Sequence, residues 1–137
     1  MSYRVQADDL HACVEVIYAG EVRAAERARA VREGALELVR RDYRRAIVDL
    51  RQATIFSEPT HVLANLAHDM ADAPAVQNTR LAYLVTPEQE SNRIIENMAL
   101  ARHVEVARFF ERDQAIAWLV ADNIGSADIP GAPAGSE

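Results

Sequence analysis

Short runs of consecutive apolar residues alternate along this chain with longer stretches in which apolar residues recur every three or four positions. The first pattern predicts strands and the second amphipathic helices. Tyr3–Gln6 and Ala12–Ala19 read as two strands joined by the polar turn Ala7–His11, close enough to pair only as an antiparallel hairpin. Gly20 is expected to end the second strand. From Arg23 to about Asp42 the period is helical, with Ala24, Ala28, Val31, Ala35, Leu38 and Val39 on one face. Gly34 sits inside that helix at a propensity cost of roughly 1 kcal/mol relative to alanine, which points to close packing. Ala46–Leu50 predicts a buried parallel strand, Arg51–Glu58 a loop, and Pro59 to about Ala71 a helix burying Val62, Leu63, Leu66, Ala67 and Met70.

The second half repeats this alternation. Leu81–Val85 is apolar throughout, as expected of a strand covered on both faces. In Thr86-Pro87-Glu88-Gln89 a threonine N-cap, a proline in the first helical position and a glutamine placed for a capping box open a helix that extends to about Arg102. Val104–Phe109 gives a further strand. Asp113 is expected to cap a last helix carrying Ala115, Ile116, Leu119 and Val120, with Trp118 beside them. The order is β-β-α-β-α-β-α-β-α: a hairpin followed by βα crossovers, hence an α/β domain with a mainly parallel mixed sheet flanked by helices. Residues 1–122 form this domain, and the Gly- and Pro-rich tail 123–137 is expected to be disordered.

Composition narrows the functional classes. The chain has 137 residues, half of them hydrophobic, enough for one core. A net charge of −6 and a pI near 5.2 leave no basic footprint for nucleic acid or anionic lipid. All fifteen cationic side chains are arginine, so chemistry that needs a phosphate-loop lysine, a Schiff-base lysine or a Ser–Lys pair is excluded. Cys13, the single cysteine, excludes an internal disulfide and reads as a small buried hydrophobe. His61 and His68 share a helix face but stand about two turns, roughly 10 Å, apart, which suits a solvated surface better than a metal ion. No metal or cofactor is expected. Arg40, Arg41, Arg44 and Arg45 cluster at the end of the first long helix, where cations complement its dipole. The N-terminal stretch lacks a signal-type apolar run and no segment reaches membrane-spanning length, so the expectation is a cytoplasmic protein without membrane insertion.

In open α/β sheets the functional crevice lies beyond the carboxyl ends of the strands. The candidates there are Gly20, Glu21, Asp49, Arg51, Ser57, Glu58, Thr60 and Thr86. Asp49 reads either as an acid–base residue or as an aspartate that holds the following backbone through hydrogen bonds, and the second reading is preferred. Ser57 or Glu58 is placed to cap the Pro59 helix.

Four stretches, taken in order and spacing, resemble the SpoIIAA-like proteins of the STAS superfamily. They are Gly20-Glu21-Val22 opening the first long helix, Ala46-Ile47-Val48-Asp49-Leu50-Arg51, the strand Arg80–Val85, and Phe109-Phe110-Glu111-Arg112-Asp113-Gln114-Ala115-Ile116-Ala117-Trp118-Leu119. The resemblance covers residues 3 to 122. It implies the STAS-like fold and membership of a group of bacterial regulatory and partner-binding domains that includes anti-sigma-factor antagonists. In those antagonists an Asp-Ser-Ser-Gly-like motif carries the phosphorylated serine. Here the matching stretch is Ser57-Glu58-Pro59-Thr60, which places Glu58 or Pro59 in the phosphoacceptor register, so the resemblance transfers no phosphosite. Ser57 and Thr60, the neighbouring hydroxyls, remain as candidate phosphoacceptors. The expectation is a non-enzymatic regulatory or interaction domain with a protein partner, a homodimer being one form of it. The alternative is a carrier holding a lipid or an anion in the crevice.

Overall fold

The computed structural model of the chain describes residues 3–55, 59, 61–62, 64–65, 79–89 and 105–121. These form a five-stranded mixed sheet, with strands β1 (Tyr3–Asp8), β2 (Cys13–Val22), β3 (Arg45–Ile55), β4 (Arg80–Leu84) and β5 (Glu105–Phe109), and two helices, α1 (Ala24–Arg41) and α2 (Arg112–Val120). Spatial order follows chain order, β1-β2-β3-β4-β5. The hairpin β1/β2 is antiparallel, Tyr3 opposite Tyr18 and Asp8 opposite Cys13, and the other three pairings are parallel. The protein is thus α/β with a mainly parallel mixed sheet. His61, Val62, Ala64 and Asn65 are helical, as the reading of Pro59–Ala71 expects. The rest of that helix, most of the one after Thr86, and the tail 123–137 lie outside the described residues.

Two hydrophobic clusters sit on opposite faces of the sheet. The first joins Tyr3, Val16, Tyr18, Val48, Leu50, Leu81 and Tyr83 to Ala24 and Ala30 of α1. The second joins Cys13, Ile47, Ala82 and Leu84 to Ala115 and Leu119 of α2. Period-two alternation along the strands sends neighbouring residues to opposite faces, and for this reason Ile47 and Val48 belong to different clusters.

The helix α1 is built as its sequence dictates at both ends. Glu26 Oε1 accepts the Arg23 N–H at 3.0 Å, and the chain leaves the helix through Asp42 at φ 57°, with the Tyr43 N–H donating to the Leu38 carbonyl at 3.0 Å. Its buried face, however, is turned from the expected one. Ala24, Arg27, Ala30, Gly34 and Leu38 are buried, while Val39, expected inside, is 69% exposed. Small residues at Ala30 and Gly34 let the helix lie close to β2: a Cβ on Gly34 would stand 3.2 Å from Val16 Cγ2. Arg27, only 2% exposed, hydrogen-bonds Tyr18, and a pattern that counts arginine as polar misplaces it.

Three strand boundaries and one helix cap also differ from expectation. Ala7 and Asp8 belong to β1. The second strand does not end at Gly20, which adopts φ 75° within β2 and pairs with Ala53. The third does not end at Leu50: Arg51–Ile55, expected as loop, continues β3 beside β2. At the last helix the N-cap is Glu111 rather than Asp113, which lies in the first turn.

Candidate functional site

The middle of β3 carries a bulge, between Asp49 and Gln52. Ile17 faces Asp49 and Ala19 faces Gln52, so β2 advances two residues while β3 advances three. Simple alternation from Leu50 would place Ala53 on the second face, yet it packs against the first cluster. The extra residue disrupts the ladder, and side chains take up the released backbone groups. Asp49 Oδ1 accepts the Arg51 N–H at 3.1 Å. Gln89 Nε2 donates to the carbonyls of Leu50 at 2.5 Å and Ala53 at 3.1 Å, while its Oε1 accepts the Thr86 N–H at 2.9 Å. One glutamine therefore ties the turn after β4 to the bulge of β3.

Of the eight crevice candidates, Gly20, Glu21, Asp49, Arg51 and Thr86 are described. Ser57, Glu58 and Thr60, the two hydroxyl candidates among them, lie outside the described residues, as does His68. Gly20 and Glu21 are exposed and pair with Ala53 and Thr54, and Gln89 brings Thr86 to the same rim. Asp49 and Arg51 are engaged with each other. Arg51 Nε donates to Oδ1 at 3.1 Å and NH2 to Oδ2 at 3.0 Å, which holds the guanidinium above its ordinary pKa. With the Arg51 N–H bonded as well, Asp49 holds backbone, as the preferred reading expects.

A second polar constellation, which the sequence reading missed, occupies the α2 face. Glu15 points inward from β2 at 4% exposure, and Arg112 at the start of α2 bridges it to Asp8 of β1. Arg112 NH2 donates to Asp8 Oδ2 at 2.9 Å, His11 Nδ1 lies 2.8 Å from the same oxygen, and the His11 N–H donates to Oδ1 at 3.3 Å. The His11 contact, joined by Arg112, holds Asp8 below its ordinary value of 3.8, and Glu15 and then Asp8 raise Arg112 above its own. The readable signal was Glu15 itself, a carboxylate inside the apolar run Cys13-Val14-Glu15-Val16, which must find a cation when buried.

Beside this bridge, burial pushes the Cys13 thiol up to about 12, with the Glu15 and Asp8 charges adding to the effect. Cys13 is therefore a protonated core residue, as expected, with no nucleophile's poise. Three of the four arginines clustered at the end of α1 are likewise taken up. Arg40 and Arg41 bind Glu37, Arg41 also binds Asp9, and Arg45 donates to the carbonyls of His11 and Leu119. Among the described residues no three His, Cys, Asp or Glu side chains are grouped to hold a metal ion, and no helix is long and apolar enough to cross a membrane.

The chain matches no known protein-family model, and no curated protein matches its sequence.

Proposed function

We propose that this chain is a non-enzymatic regulatory domain of the STAS-like, SpoIIAA-like type that works in the bacterial cytoplasm by binding a protein partner. The observation that carries the reading is on the outer face of α1. Leu36 and Val39, one turn apart, are each 69% exposed, and exposed Arg32 and Arg40 flank them. Burying a leucine or valine side chain is worth about 1.5–3 kcal/mol. The fold leaves both unspent on its most regular surface element, which is what a docking face requires.

The test is a paired substitution, Leu36→Asp with Val39→Asp, in protein captured from its native host. Loss of the bound partner with unchanged far-UV circular dichroism and melting temperature supports the reading. Full retention of the partner overturns it. A small molecule retained by the purified protein in native mass spectrometry, with no protein partner, would favour the carrier instead.

A further inference from the structure

Among the described residues α2 is the one helix packed on the second face of the sheet, held there by apolar packing and by polar fastenings at both ends. Its apolar packing rests on four side chains, with the Trp118 ring 5.7 Å from that of Phe109. Ala115 and Leu119 are buried, Ile116 and Trp118 only partly, and Val120 is exposed. Arginines fasten both ends. At the N-terminus Arg112 bridges Glu15 and Asp8. At the C-terminus Arg45 Nε donates to the Leu119 carbonyl at 2.9 Å, and Arg80 NH1 donates to the carbonyls of Trp118 at 2.8 Å and Ala121 at 3.0 Å. The Arg80 guanidinium also lies over the Trp118 ring, 4.5 Å from its centroid. The core divides in the same way: the cluster beneath α1 contains no residue of α2, so its packing does not depend on that helix.

We propose that α2 is a detachable cover, which leaves the second face as a unit while the sheet and α1 stay folded, and so uncovers Cys13, Ile47, Ala82 and Leu84. Arg112 is the catch. Facing it are Asp8 from β1, His11 from the hairpin turn and Glu15 from β2, with Arg51, engaged by Asp49, and Glu111 nearby. Without the guanidinium, Glu15 and Asp8 face each other with one of them buried, a pairing that opposes closure. Opening of this kind is sub-global: it exposes a fraction of the surface that complete unfolding exposes.

The protein carries its own reporters. Trp118 is its single tryptophan and lies on the cover, and Cys13 is its single cysteine and lies beneath. The experiment follows Cys13 labelling of the full chain by dithiodipyridine as urea rises, beside Trp118 fluorescence and far-UV circular dichroism. The expected result is a labelling rate nearly independent of urea below the global transition, and labelling roughly tenfold faster or more in Arg112→Met with the dichroism spectrum retained. Labelling with the full urea dependence of global unfolding, and fluorescence and dichroism transitions that coincide in both proteins, would overturn the proposal. Should Arg112→Met not fold, Asp8→Asn removes one anchor and leaves the buried pair. In that variant several-fold faster labelling supports the cover, and an unchanged rate overturns it.

Discussion

At Gly34 α1 lies close against Val16 of the sheet, and its replacement sets two effects of known size against each other. Alanine there gains about 1 kcal/mol of helix propensity. Its methyl group, however, meets Val16 Cγ2 at 3.2 Å, and Val16 is a stiff β-branched side chain 6% exposed in the first cluster. Overpacking costs about 1–3 kcal/mol, so Gly34→Ala is expected to destabilise by about 1 kcal/mol in urea unfolding. In a Val16→Ala background the same change should turn stabilising. A glycine inside a helical period announced this contact in the sequence. Arg27 gave no such warning, because an arginine in a helix is ordinarily solvated and its partner, Tyr18, lies on another element.

Elements were legible where a local pattern decides them and illegible where a neighbour does. The hairpin, α1 and the strand Arg80–Leu84 follow from apolar runs and spacing. The continuation of β3 through Gln52 and Thr54 does not, since those exposed residues are strand only because Ala19 and Glu21 pair with them. The candidate crevice shares this fate. Its glycine, its Asp49–Arg51 pair and Thr86 were visible as residue types, but Gln89 as the clasp on Leu50 and Ala53 required the bulge to be known. Gln89→Ala leaves those carbonyls without their donor and is expected to destabilise by about 2 kcal/mol. Amide exchange should locate the loss, with faster exchange at Gln52 and Ala53 and unchanged protection at Val14 and Val16. Uniform acceleration across the sheet would show that the clasp holds more than the bulge.

At the scale of the whole molecule, the link between β1, β2 and α2 makes stability depend on acid. Asp8 has a folded-state pKa below its ordinary 3.8, first through His11 and also through Arg112. A carboxyl shifted downward contributes stability that is fully present above its unfolded value and is lost as pH falls through the folded one. Urea midpoints measured from about pH 5 downward should therefore fall on acidification, and Asp8→Asn should flatten that limb while lowering the neutral-pH midpoint. An acid limb unchanged in the variant would assign it to other carboxylates.

The coincidence of spatial with chain order has a further consequence, for synthesis. Each strand after the first docks beside the one made just before it, so the sheet extends at a single growing edge as the polypeptide leaves the ribosome. The bonds from Arg112 break that locality: they span 97 residues to Glu15 and 104 to Asp8. Throughout elongation both carboxylates stand without their guanidinium, and Cys13, Ile47 and Leu84 stand without the helix that covers them, until the last described element emerges. The nascent chain therefore carries an open apolar face for most of its synthesis. Docking of α2 closes that face.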